Sequence, residues 1–257
     1  MFGKNVKIAN EINFDLQRRV SAHKTSESWL NIPHSGGYID YDVTKIFKFV
    51  KDLRKRPGYE DVKISINTVM LKILALAIEQ SPLMNAHIEY SRKSNYGKII
   101  EFEDINIAIP VLMPDGENIT PTLTKVQNRS LKELALDIEN LSKKLKKTDI
   151  NKLLFETAMR DTMDMLKSGH WFKVLRRAFK NLFGKHKIKR PKNKEMKEYK
   201  KIPEDERITP DDLLASTVLV SNVGSVFRKM PLTINLLEII SPHSTVIGLG
   251  TAEDRYV

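Results

Sequence analysis

The sequence predicts an α/β fold, and two kinds of apolar pattern predict it. Near the C-terminus, Thr217-Val218-Leu219-Val220 and Thr245-Val246-Ile247-Gly248-Leu249-Gly250 are short, continuous runs of apolar and β-branched residues. Runs of this length, closed by Ser, Asn or Gly, fit strands covered on both faces. Upstream, apolar residues recur at three- and four-residue intervals, the period of a helix with one buried side. The sets are Val43, Ile46, Phe47, Val50 and Leu53; Ile66, Val69, Met70, Ile73, Leu74 and Ala77; and Leu131, Leu134, Ile138, Leu141 and Leu145.

Taken in order, residues 1–35 show weak periodicity and read as an N-terminal arm. Residues 36–257 read as a single domain carrying a basic insert at about 167–205. Gly36 to Tyr41 has the composition of a strand. Asp42 then stands as the N-cap of the first helix, which Pro57-Gly58 ends. Ser65 or Asn67 caps the second helix, whose wide apolar arc makes it central. Ser81-Pro82 stops it, with His87 just beyond as a partly buried polar residue. Lys98 to Glu101 and the alternating Ile105 to Ile109 are strands. Pro114 to Asn118 is a turn, and Ile119 to Leu123 returns to complete a hairpin. Ser130 and Glu133 form a capping box for the third helix, and the helical pattern resumes from Ile150 to Leu166.

The chain has 257 residues, no cysteine and a net charge of +11. Without cysteine, disulfides, thiolate metal sites and a cysteine nucleophile are excluded. Met1-Phe2-Gly3-Lys4 lacks the apolar core of a secretory signal. The apolar run Val69 to Ile78 is interrupted by Lys72 and too short to span a bilayer. A cytoplasmic protein is expected. The charge is concentrated, with fourteen Lys or Arg against two acids between Lys167 and Lys201, so the rest is nearly neutral. Within that insert Trp171, Leu175, Ala178 and Leu182, flanked by Phe172, Phe179 and Phe183, line one face of a basic helix. Its apolar face packs on the protein, or the helix Trp171 to Phe183 touches an acidic partner or an anionic membrane surface. No RNA- or DNA-reading motif occurs, so no nucleic acid is expected. Lys185 to Lys201, poor in apolar residues, reads as a mobile loop. There is no phosphate-binding glycine motif and no metal-ligand spacing, and no metal is expected.

Four passages in the right order carry a resemblance. They are "DYDVTKIFKFVKDLRK" from Asp40, "INTVMLKILALAIEQSPLMNA" from Ile66, "INIAIPVLMPDGENITPTLTKVQNRSLKELALDIENL" from Ile105, and Thr217 to Gly250 with "SNVG" and "STVIGLG". Together they resemble the catalytic domain of the 2-oxoacid dehydrogenase acyltransferases, the E2 subunits, which share the chloramphenicol acetyltransferase fold. The resemblance implies a two-layer α/β sandwich, a mixed sheet with helices on one face. It also implies a homotrimer with active sites in channels between subunits. An acyl group would pass between coenzyme A and a thiol such as dihydrolipoamide, the lipoyl group being carried on another domain or chain, so a lipoyl-domain protein is an expected partner. Ser221 occupies the position of the family's oxyanion-stabilising hydroxyl. Asn222, Gly224 and His34 are the further channel candidates.

The family's base is a histidine in an "HRxxDG" motif, and no such motif occurs in residues 1–257. The base is therefore expected from a C-terminal segment beyond Val257. The alternative is a non-catalytic scaffold or regulatory relative that keeps the trimeric fold. Each site residue also has a plainer reading. Ser221, Asn222 and Gly224 form ordinary turn chemistry, and His34 suits a structural or surface role.

Overall fold

The two C-terminal apolar runs are neighbouring strands in one sheet. The computed structural model describes residues 7–91, 94–113, 118–167, 169, 171, 191–225, 234 and 237–255. The strands are β1 (Ala86–Ser91), β2 (Tyr96–Glu101), β3 (Ile107–Ala108), β4 (Val111–Leu112), β5 (Asn118–Ile119), β6 (Thr122–Leu123), β7 (Val218–Asn222) and β8 (Val246–Leu249), the first six in one run between helices. The main sheet has the order β6-β3-β7-β8. β3, β7 and β8 run parallel, and β6 is antiparallel to β3. This is the mixed sheet expected, and the long gap between β3 and β7 is what a parallel pairing needs.

The longer helices are α1 (Leu16–Asn31), α2 (Thr44–Leu53), α3 (Ile66–Glu79), α4 (Leu131–Lys147) and α5 (Ile150–Lys167). Leu71, Ala75 and Ile78 of α3 and Leu134 of α4 pack with Ile107, Leu123, Val218 and Val220 of the sheet. Both helices begin as the sequence predicts. Ser65 and Thr68 form one capping box, Ser130 and Glu133 the other. The side chain of Asp42 accepts the Thr44 N–H at the start of α2. Ile150 and Leu153 of α5 build a second cluster with Ile119, Leu145 and Ile208.

A buried asparagine ties the sheet to its loops. Asn85 Nδ2 donates to the carbonyls of Phe102 and Asp104 at 2.8 and 3.1 Å. Its Oδ1 accepts the Thr217 hydroxyl at 2.5 Å, just before β7. The "MNA" that closes the second resembling passage is thus a junction between α3, the β3 lead-in and β7.

Several expectations are refined or corrected by the structure. The N-terminal stretch holds α1, whose N-terminus Asp15 caps by accepting Arg18 N–H. Its apolar residues are scattered around the helix, which hid it from a periodicity search. Gly36 to Tyr41 joins no strand, and Tyr38, Ile39 and Tyr41 are exposed there. His87 is partly buried as expected, on β1, which pairs with β2 in a separate hairpin. The predicted hairpin from Ile105 to Leu123 is real but divided. Pro110 and Pro121 interrupt both arms, since proline cannot donate to a ladder. Only β3 and β6 join the main sheet, while β4 and β5 pair separately.

In the insert, the predicted basic helix lies outside the described residues apart from Trp171. The loop expected to Lys201 instead contains a helix, Asn193–Tyr199, anchored by the burial of Tyr199. No described helix is long and apolar enough to cross a membrane.

Candidate active site at the end of strand β7

Side chains alternate along a strand, and this decides what the end of β7 presents. Val218 and Val220 are buried against α3, so Asn222 shares their face while Leu219 and Ser221 face the other way. The contacts agree, because Asn222 Nδ2 donates to Asn67 Oδ1, in the first turn of α3, at 2.7 Å. Ser221 is partly buried and lies beside Gly248 of β8. Among the described residues no hydrogen bond engages its hydroxyl. A hydroxyl held at a strand end with no partner can donate to a ligand oxygen.

The turn after β7 is built by close backbone approach. A Cβ at Gly224 would overlap the carbonyl oxygen of Gly250 and lie 2.8 Å from its carbonyl carbon. Only glycine fits there. A Cβ at Gly248 would meet the side-chain ends of Leu237 and Ile234, the latter at 2.8 Å. That segment therefore covers the sheet beside Ser221, on the face away from α3.

The structure brings Ser221, Asn222 and Gly224 together, and both ring nitrogens of His34 are engaged by the chain. His34 Nδ1–H donates to the Ile32 carbonyl at 2.8 Å, and Nε2 accepts the Ile239 N–H at 3.0 Å. Ser28 adds a bond to the Ile239 carbonyl at 2.7 Å. His34 thus fastens the end of α1 to the segment entering β8.

Two other histidines meet at the opposite end of the parallel strands. Ser216 lies five residues before Ser221, roughly 16 Å along the strand. The Ser216 hydroxyl lies 2.9 Å from His243 Nε2, and His243 Nδ1–H donates to the Ile240 carbonyl at 2.9 Å. His87 Nε2–H donates to the Ser216 carbonyl at 3.0 Å. The two imidazoles sit edge to face, 5.0 Å apart.

Burial holds both below the ordinary 6.5. For His87 the neighbouring His243 lowers it further, while the Ser216 bond and Glu89 oppose. For His243 the bonds to Ile240 and Ser216 oppose, and Lys24 adds to the lowering. The unfolded chain therefore binds protons that the folded one does not, over a window reaching down from about 6.5. Stability from this pair is complete above that window and lost as the pH falls through it. Urea midpoints should drop between about pH 7.5 and about pH 5.5, and the drop should shrink in His87→Phe. An equal drop in the variant would contradict this account of His87.

Sequence reasoning missed Asn67 as a site residue, reading it only as an alternative helix cap. Ser65 does the capping, which frees Asn67 for Asn222. Among the described residues no group of three His, Asp or Glu could hold a metal ion.

The mixed sheet with α3 and α4 packed on it, and the serine hydroxyl at the end of a central strand, have the architecture of solved acyltransferase cores. The dihydrolipoamide acetyltransferase of Azotobacter vinelandii superposes with a TM-score of 0.62 at 17% identity, over 98% of this chain and 76% of that one. The cubic core of the pyruvate dehydrogenase multienzyme complex gives 0.63 at 18% identity, over 99% and 76%. The model of the 2-oxoacid dehydrogenases acyltransferase (catalytic domain) matches residues 7–156, and the chain belongs to that family.

Among curated relatives, the dihydrolipoyllysine-residue acetyltransferase component of the pyruvate dehydrogenase complex from Zymomonas mobilis is 29% identical over 132 residues, 51% of this chain and 28% of that protein. Its counterpart from Pseudomonas aeruginosa is 28% identical over 153 residues, 59% of this chain and 26% of that protein. The chain thus aligns with only about a quarter of each of these relatives.

Proposed function

We propose that this domain transfers an acyl group between coenzyme A and a thiol such as dihydrolipoamide, with Ser221 as the oxyanion donor. The unengaged Ser221 hydroxyl at the end of β7, within a domain of this family, carries the reading. The attacking sulfur adds to the thioester carbonyl, and the carbonyl oxygen takes up negative charge. A hydroxyl already aimed at that oxygen stabilises the tetrahedral intermediate more than the substrate. The intermediate then collapses and the other sulfur leaves as thiolate.

The attacking thiol must give its proton to a base. The ring nitrogens of His34, His87 and His243 are engaged by backbone or serine partners. The reading therefore takes the base from another group, consistent with a homotrimer whose channel is lined by two subunits. It also implies a cytoplasmic setting and a lipoyl group delivered by another domain or chain.

The test is acyl transfer from acetyl-coenzyme A to dihydrolipoamide, followed with the protein that carries this chain. Turnover is expected. Coenzyme A binding without turnover would overturn the reading in favour of a non-catalytic scaffold.

A further inference from the structure

We infer that Asn67 is a positioning residue for this site, an inference that rests on the acyl-transfer reading. Asn67 stands in the first turn of α3, and its Oδ1 accepts the side-chain N–H of Asn222 at 2.7 Å. Asn222 shares a peptide bond with Ser221, so this contact fixes the last turn of backbone that aims the Ser221 hydroxyl. The anchor is rigid. The capping box of Ser65 and Thr68 closes the start of α3, and Thr68, Val69, Leu71, Ala75 and Ile78 are buried beneath it. Asn67 is not needed for capping, since Ser65 and Thr68 form the capping box. Its side chain is committed to Asn222, on the face opposite the one that Ser221 presents.

An oxyanion donor displaced by a fraction of an ångström loses much of its effect. Asn67→Leu keeps the volume and removes the acceptor, whereas Asn67→Asp keeps an acceptor oxygen. Both are to be assayed for acyl transfer from acetyl-coenzyme A to dihydrolipoamide, alone and combined with Ser221→Ala. Asn67→Leu should lower kcat roughly tenfold with KM nearly unchanged, and Asn67→Asp should restore most of it. In the Ser221→Ala background Asn67→Leu should cause no further loss, since the two act through one hydroxyl.

An unchanged kcat in Asn67→Leu, or an equal loss in both backgrounds, would overturn the assignment of Asn67 while leaving Ser221 in place. If Ser221→Ala itself leaves kcat unchanged, the acyl-transfer reading fails and this inference falls with it.

Discussion

Replacing Arg207 with alanine is expected to destabilise the domain by about 3–5 kcal/mol, the cost of breaking a buried ion pair from one side. Its side chain is 2% exposed and its Nη1 donates to Glu156 Oε2 on α5 at 3.0 Å. Nε donates to the Ile202 carbonyl at 3.3 Å, and the guanidinium lies 4.9 Å over the Tyr199 ring. Glu204, 3.7 Å away but 82% exposed, adds little because water screens it. Alanine would leave Glu156 without its closest cation and open a cavity over Tyr199. The buried hydroxyl of that ring has no hydrogen-bond partner among the described residues, and Lys152 Nζ stands farther from the ring, at 5.9 Å. Burial accordingly pushes the Tyr199 phenol up.

The cluster fastens the C-terminal half of the basic insert to α5 just before the chain enters β7. Thermal unfolding should show a fall in midpoint of roughly 10 °C for Arg207→Ala. Arg207→Met with Glu156→Leu should recover much of it, because an apolar pair needs no compensation for lost hydration. A fall of under about 2 °C in Arg207→Ala would mean that the insert is held by other contacts.

What the sequence reveals here follows from which signals are local. α2, α3 and α4 were legible because their buried sides repeat every three to four residues. The caps at Ser65 and Ser130 are local patterns as well. β7 and β8 were legible because their apolar runs are unbroken, with Val218, Val220, Ile247 and Leu249 packed in the core. β1 does alternate, with Ala86, Ile88 and Tyr90 against His87, Glu89 and Ser91, but its hairpin is largely exposed on both faces and the alternation is short. The residues from Gly36 to Tyr41 carry strand composition without a partner strand, and composition alone does not make a ladder. The helix Asn193–Tyr199 depends on Arg207 and Glu156, partners distant in the chain.

The site divides in the same way. Ser221, Asn222 and Gly224 are contiguous enough to read as one turn, and the family resemblance singles out the serine. The opposed directions of Ser221 and Asn222 follow from strand alternation once β7 is placed in register. Asn67 meets Asn222 across 155 positions, and nothing near it in the sequence announces that contact.

The measurement that tests the central claim most directly is the steady-state rate of acyl transfer from acetyl-coenzyme A to dihydrolipoamide in Ser221→Ala. The hydroxyl has no structural bond to lose among the described residues, so the variant should fold with an unchanged unfolding midpoint. Removing one donor to a developing oxyanion typically costs about 10²–10³ in kcat. That range is the predicted result, with KM within roughly threefold because the donor acts on the transition state and not on bound substrate. A Ser221→Ala protein with undiminished kcat would contradict the account and return Ser221 to the role of a turn residue.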